Sequence, residues 1–581
     1  MFQLIRDLIF KALKQFAVSE DIEHFRERIL LNMPSDPSFG DLYTNAAMFF
    51  TKKLEVSPKV LANAIVSVLE GCDVISGVSI AGPGFVNINV KHEFWHGFIN
   101  EILIKKEKYS ETDLKHGETV NVEFVSANPT GPLHTGHARN AVFGSVASNL
   151  LEKLGYDVTR EFYINDQGNQ INSLARSLYL RYLEVLGANI AEDAFGDDMY
   201  CGEYVKDLAE YLYGIYQDGL LNKDESAWIE DLGKFSVKKM MENIVKDLET
   251  IGVVMDRYTS ESELYKRRLP EEVMAIISER GDTYEGILPR PKGIDDDGEW
   301  EERPQLLFKS TKYGDSIDRA TRKSDGTWTY FAGDMAYHLD KIKRGYSKMV
   351  SVLGADHSGY VKRLKAAVQS LSNGASEIEI RLYQLVNFLE DGKPVRMSKR
   401  AGNFISLRDV VDKVGKDVTR YMMISRHHDV MIDFDFKKAI ECSMDNPLFY
   451  IQYAYARICS VFRHYTTNFG ELNEEELCDS DKSVLSDVAE INLLKMLSFW
   501  PERVRNAALA IEPHRIPGCL QEVAYYFHAL WNVGKKNAEL RFISADDRAG
   551  TISRLSLLMA TKIVLEDGFK LMGITPMSEM N

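Results

Sequence analysis

The chain has 581 residues, of which 45% are hydrophobic and 27% charged, and it carries a formal net charge of −16. That length can bury several cores, so three or four domains are expected, and no apolar run approaches the roughly 20 residues that span a bilayer. Six cysteines without a C-x-x-C pair exclude a disulfide framework or cysteine zinc site and fit a reducing compartment, while the acidic balance disfavours unspecific nucleic-acid binding.

Residues 1 to about 115 read as a small α+β module. The opening MFQLIRDLIFKALKQF alternates apolar and charged residues at helical spacing and lacks the continuous apolar core of a signal peptide. FGDLYTNAAMFFTKKL (Phe39 to Leu54) and the strand-like AGPGFVNINV (Ala81 to Val90) follow. Next comes NVEFVSANPTGPLHTGHARNAVFGSVASNLLEKLG, Asn121 to Gly155, around which the chain is organised. Val120, Val122 and Phe124 predict a strand, and Pro129, Gly131 and Pro132 a loop. Phe143, Ala147, Leu150, Leu151 and Leu154 predict a helix stopped at Gly155. With a second strand at Asp157 to Ile164, this is a βαβ unit. His134 and His137 fall at the helix N-terminus, where unpaired N–H groups seat phosphate, and Gly136 would let a flat ring approach the backbone.

Asn169 to Leu186 reads as an amphipathic helix, and about 187–304 as an acidic, helical insertion. Strands are expected at Arg303 to Thr311, Asp315 to Arg322 and Met349 to Val352. Lys323 to Ile342 should run from a turn at Asp325-Gly326 through a strand into a helix. Leu382 to Leu389 and Lys393 to Ser398 could form a hairpin across Asp391-Gly392. A basic loop, PVRMSKRAGN (Pro394 to Asn403), leads into long aromatic-rich helices from Asn446 onward. Local basic clusters, Lys393, Arg396, Lys399 and Arg400, then Lys535, Lys536 and Arg541, leave room for a docked polynucleotide despite the net charge.

ANPTGPLHTGH, Ala127 to His137, resembles the HIGH signature of class I aminoacyl-tRNA synthetases. With Glu123, Asn128, Pro129, Thr130 and Gly131 ahead of the histidines it resembles the arginyl-tRNA synthetases in particular. PVRMSKRAGN resembles the second signature, KMSKS, with Arg396 replacing the first lysine and Arg400 the last serine, and Lys399 matching the lysine that matters most. The N-terminal module resembles one that in this family contacts the tRNA elbow, and the C-terminal helices a shared anticodon-binding domain. The family commonly ends in Arg-Met, whereas this chain ends Ser578-Glu579-Met580-Asn581.

The resemblance implies a multidomain α/β protein. An N-terminal module would span 1–115, and a Rossmann-like catalytic domain 116–400 with its insertion at about 187–304. A stem-contact connector would follow at 401–442, and an all-α anticodon-binding domain at 443–581. It further implies ATP-dependent formation of arginyl-adenylate with release of pyrophosphate, then transfer to the terminal ribose of tRNA(Arg). Catalysis falls to His134, His137 and Lys399. ATP binding adds Pro129, Thr130, Gly131, Pro132, Leu133, Gly136, Met397 and Ser398, with Mg2+ entering on the ATP phosphates and no dedicated protein metal site. Arginine binding falls to Glu123, Asn128, Tyr330 and Asp334. The residues themselves leave Asp334 two roles, guanidinium acceptor or N-cap of a helix starting near Met335. Tyr525 and Trp531 are either anticodon contacts or core. A cytoplasmic monomer with no membrane association, needing tRNA before it activates arginine, is the family expectation. Two other functions remain open, a small-molecule nucleotidyltransferase with an H-x-G-H turn and a catalytically silent RNA-binding relative. The first is usually shorter, without the terminal modules, and retention of His134, His137 and Lys399 weighs against the second.

Overall fold

The computed structural model describes residues 1–17, 26, 28–34, 36–196, 198–288, 303–323, 325–390, 392–395 and 405–580. At the N-terminus, the helix Phe2–Lys14 buries Phe2, Ile5, Ile9 and Leu13 and packs on the helix Pro58–Leu69. Beside them lies an antiparallel sheet of β1 (Leu42–Thr44), β2 (Ile75–Ala81) and β3 (Phe85–Val90), in the order β1-β3-β2. This unit leans on the C-terminal helices through a buried Arg6–Glu502 pair at 2.5 Å and a Lys495–Asp41 pair at 2.5 Å. Removing either member of the buried pair would strand a charge out of water, at about 3–5 kcal/mol.

The catalytic core begins with β4 (Thr119–Glu123), β5 (Asp157–Ile164) and β6 (Arg257–Ser260). A small antiparallel sheet follows, β7 (Thr283–Gly286), β8 (Gln305–Phe308) and β9 (Arg319–Ala320). The core then resumes with β10 (Lys348–Gly354) and β11 (Glu377–Tyr383). β11, β10, β4, β5 and β6 lie side by side in that order, all parallel. The chain runs outward from β4 through β5 to β6, then returns to the other side of β4 with β10. Order therefore reverses between β4 and β10, and in such sheets ligands bind beyond the carboxyl ends of the strands at that reversal.

The insertion read over 187–304 divides. The helices Glu203–Tyr216 and Ile229–Thr250 pack with Asn169–Val185 around Leu178, Tyr182, Leu208 and Trp228, as a unit of their own. Arg257–Ser260, however, is the edge strand of the central sheet, and Leu269–Glu279 packs against Phe308 and Met335 of the core. Arg-Tyr-Thr-Ser has no apolar alternation, so that strand gives no periodic signal. Of the strand expected over Asp315 to Arg322, the ladder keeps only Arg319–Ala320, because Asp315 turns back to take hydrogen bonds from Ser310 and Arg319.

The expected hairpin forms between β12 (Val386–Glu390) and β13 (Lys393–Pro394), with Glu390 opposite Lys393, and β14 (Ile432–Asp435) adds in parallel to β12. The remainder is helical. Pro447–Phe469, Val488–Ser498, Trp500–Ala510, Arg515–Lys536 and Arg548–Met572 form an all-α bundle. Arg420 fastens this bundle to the core, donating to the carbonyls of Met572 (2.5 Å) and Ile251 (2.7 Å) and to Ser145 Oγ (3.1 Å). Among the described residues no helix is long and apolar enough to cross a membrane.

Candidate active site

A cleft of about 1130 Å³ opens beyond the carboxyl ends of β4 and β10, where the strand order predicts one. Its upper wall is the turn into the helix Thr135–Lys153. His134 is the N-cap, its Nδ1 accepting the Gly136 N–H at 3.1 Å, while His137 Nδ1 accepts the His134 N–H at 3.2 Å. Because each Nδ1 accepts, each neutral ring carries its proton on Nε2 and presents a donor there. The two imidazoles stack with centroids 3.8 Å apart. A Cβ at Gly136 would stand 2.9 Å from the His134 ring, so the flat ring that this glycine admits is the imidazole of His134 itself.

The loop before this turn is strained. Val125 and Ser126 adopt φ of 68° and 40°, costly for residues with a Cβ and most of all for a β-branched one. Asn140, one turn along the helix, holds the loop by accepting the Val125 N–H at 2.8 Å and donating to the Val352 carbonyl at 3.0 Å, which ties the ends of β4 and β10. Thr130, Gly131 and Pro132 line the cleft beside His134, Gly136 and His137, whereas Leu133 and Pro129 are buried supports.

Met397, Ser398 and Lys399, with Arg396 and Arg400, lie outside the described residues. Their flanks are described, and both meet the histidine turn. The Leu407 N–H donates to the Leu133 carbonyl at 2.8 Å, and the Thr135 N–H to the Ile405 carbonyl at 3.3 Å. On the other flank, buried Arg139 donates to the carbonyls of Gln384 (2.7 Å), Val430 (2.8 Å) and His427 (2.9 Å), the residues that lead into β12 and β14. Burial, opposed by Tyr383 and Asp429, lowers the Arg139 guanidinium to about 10.

At the floor of the cleft the electrostatics reverse. Asp334 sits within the helix Tyr330–Lys343, whose N-cap is Thr329, so the capping role is ruled out. Burial, reinforced by Glu123 and Glu261 and opposed by Arg363, pushes the Asp334 carboxyl up to about 8. Glu261, buried at the start of the helix Glu261–Lys266, is raised to about 7 by burial and by Asp166, against a hydrogen bond from Tyr163. Gly333 makes their approach possible, since a Cβ there would lie 3.0 Å from the Tyr265 hydroxyl and 3.2 Å from Glu261 Oε1. Two raised carboxyl groups, one on Asp334 and one packed against the adjacent Gly333, with tyrosines around them, have the chemistry to receive a cation. Nothing in the sequence singles out Glu261.

Glu123, read as an arginine acceptor, already has a cation. Buried Lys341 donates to its Oε2 at 2.7 Å, and the hydroxyls of Ser351 and Ser126 donate at 3.1 and 3.2 Å. A lone charge at the end of β4 would be costly to bury, and Lys341 offsets it. Asn128 donates to Gln170 Oε1 at 2.9 Å on the rim, and Tyr330, 71% exposed, stands at the mouth. In the bundle the two aromatic candidates part. Tyr525 is exposed, whereas Trp531 packs against Phe527 and Phe542 with the Arg457 guanidinium 4.8 Å from its ring.

A parallel sheet whose switch-point cleft carries this histidine turn, flanked by an N-terminal module and an α-helical C-terminal domain, defines a class I aminoacyl-tRNA synthetase, a class that uses ATP. Three family profiles match in the same order: arginyl tRNA synthetase N terminal domain over residues 3–90, tRNA synthetases class I (R) catalytic domain over 98–281, and DALR anticodon binding domain over 451–580. An arginine–tRNA ligase of Parvibaculum lavamentivorans is 46% identical over 95% of this chain and 94% of its own length. That of Wolbachia pipientis wMel is 45% identical over 100% of both. The solved arginyl-tRNA synthetase of Thermus thermophilus, at 18% identity, shares the fold with a TM-score of 0.72 over 99% of each chain. The chain belongs to the arginyl-tRNA synthetases.

Proposed function

We propose that the reaction of this family, ATP-driven joining of arginine to tRNA(Arg), runs across this cleft with its two charged halves divided as described. The guanidinium enters between Asp334 and Glu261, and Tyr330 and Asn128 frame the mouth. The arginine carboxylate then attacks the α-phosphorus of ATP. A carboxyl oxygen–phosphorus bond forms, the α–β anhydride bond breaks, and pyrophosphate leaves. The Nε2–H groups of His134 and His137, with the helix N-terminus behind them, hold the phosphate oxygens as charge builds on them. Lys399 neutralises the departing pyrophosphate, and the residues that follow its segment, Ile405 and Leu407, are bonded to Thr135 and Leu133 beside the histidines. A terminal ribose hydroxyl of tRNA then attacks the acyl carbon and AMP leaves. Mg2+ would enter with ATP, held by its phosphates and water.

The observation that carries this reading is Asp334, a raised carboxyl group lining the same cleft as a turn rich in N–H donors, with the raised carboxyl of Glu261 buried behind it against Gly333. The N-terminal module, 1–115, would meet the tRNA elbow and the helices of 443–581 the anticodon, with 401–442 on the stem. Tyr525 is the better placed aromatic for a base. A single chain in the cytoplasm completes the reading, and all six cysteines being free suits a reducing compartment.

Arginine attachment to total tRNA in the presence of ATP tests the whole. Lys399→Ala should lower single-turnover adenylate formation by roughly 2–4 kcal/mol of transition-state stabilisation while arginine still binds. An unchanged chemical step would remove Lys399 from the mechanism.

A further inference from the structure

Glu261 owes its place to a residue outside the cleft. Asp166 follows β5 in the turn Asn165-Asp166-Gln167-Gly168, and its carboxylate gathers three donors from the end of β6 and the start of the helix that follows it. Ser260 Oγ donates at 2.7 Å, the Ser262 N–H at 2.8 Å and Ser262 Oγ at 3.0 Å. These serines are the two neighbours of Glu261, and Ser260 is also the N-cap of its helix, accepting the Glu263 N–H at 3.2 Å. Glu261 thus stands on a short helix whose first turn is held from both sides by one carboxylate. We propose that Asp166 is a positioning residue for arginine recognition, fixing Glu261 toward the guanidinium through its two serine neighbours.

The same group acts at a distance. Asp166 lines a second cleft of about 1260 Å³, open to solvent between the helix Ile229–Thr250 and Tyr258. Glu261 faces the drier side, where Tyr163 of β5, Tyr265 of its own helix and Asp334 of the helix Tyr330–Lys343 surround it. Glu123 and Arg363 act on Asp334 from β4 and from the helix Val361–Ser372, and Glu263 and Lys266 pair with each other at 2.5 Å. Burial first, and then Asp166, disfavour ionisation of Glu261 until a cation arrives. Asp166 both orients the acceptor and adds to the burial that raises its carboxyl.

This inference rests on the reading of Glu261 as part of the guanidinium site, and three variants separate the two. Asp166→Asn keeps an oxygen for the Ser262 N–H and an amide for Ser260 while deleting the charge. The pH at which the arginine KM rises should then move down by roughly half a pH unit or more. Asp166→Ala releases both serines, and its arginine KM should rise about tenfold while the ATP KM holds. A role in stability alone would lower thermal unfolding in both variants and leave the pH profile in place. If the Asp166→Asn profile superimposes on that of the parent and Asp166→Ala leaves the arginine KM unchanged, the proposal is overturned. Should Glu261→Gln itself leave the arginine KM unchanged, the reading of Glu261 falls and this proposal with it. If Glu261→Gln raises that KM but neither Asp166 variant responds, only the positioning role is lost.

Discussion

At the phosphate end of the cleft, His134 and His137 satisfy each other's backbone within a single helical turn, and their donors are aimed before any ligand arrives. At the arginine end, Glu261, Asp334 and Tyr163 come from three separate elements, and burial raises both carboxyl groups, with Arg363 opposing it at Asp334. The first half is preorganised at almost no electrostatic cost, because hydrogen bonds within the motif hold it. The second stores its affinity as unrelieved repulsion and desolvation, which a guanidinium cancels on entry. The arginine half should therefore be controlled by protons near neutrality.

The largest break in this contrast comes from Asp334→Asn. The guanidinium loses a charged partner in a dry site, and the arginine KM should rise on the order of a hundredfold with the ATP KM little changed. Stability should move the opposite way. Asp334 and Glu261 have folded-state values of about 8 and about 7, above their ordinary 3.8 and 4.5. A group raised in this way stabilises the fold below its unfolded value and loses that contribution as pH climbs through the folded one. Between pH 4 and 8 the empty pocket thus becomes progressively destabilising, and Asp334→Asn should melt higher than the parent at pH 8. A lower melting temperature with an unchanged arginine KM would show that Asp334 serves the fold alone.

A smaller effect sharpens the same point. The arginine KM of the unaltered protein should fall as pH rises from 6 to 8, by about tenfold, because the carboxylates must ionise to receive the guanidinium. The ATP KM should stay nearly flat over that span. Smallest of all, Tyr525→Ala should weaken tRNA binding by about 1 kcal/mol without touching adenylate formation, if its exposed ring stacks on a base. Trp531→Ala should instead lower thermal stability, since its ring is engaged with Phe527 and Phe542.

The two halves also differ in how far they can be read from sequence. The phosphate half is local. The strand, loop, histidines and helix follow each other from Val120 to Leu154, so periodicity and turn chemistry place them. The second half is not local. Asp334 is legible as a candidate only through the family resemblance, and its alternative as an N-cap is settled by Thr329 taking that place. Glu261 follows a four-residue polar strand inside what reads as an insertion, and only the pairing of β6 with β5 brings it against Gly333, next to Asp334. Glu123 is found where expected, but its partner Lys341 lies on the helix that also supplies Asp334, a coupling no spacing rule reveals. Arg139 carries no motif signal of its own either, since its three acceptors are backbone carbonyls from distant turns.

Calorimetry of arginine binding at pH 7, run in two buffers of different ionisation enthalpy, tests the central claim most directly. If Asp334 and Glu261 hold protons in the empty pocket, arginine must expel them, and the two titrations should differ by the release of about one proton per arginine. The release should shrink in Asp334→Asn. Identical heats in both buffers would mean that the pocket is already ionised before the guanidinium enters, and the contrast between the two halves of the cleft would not stand.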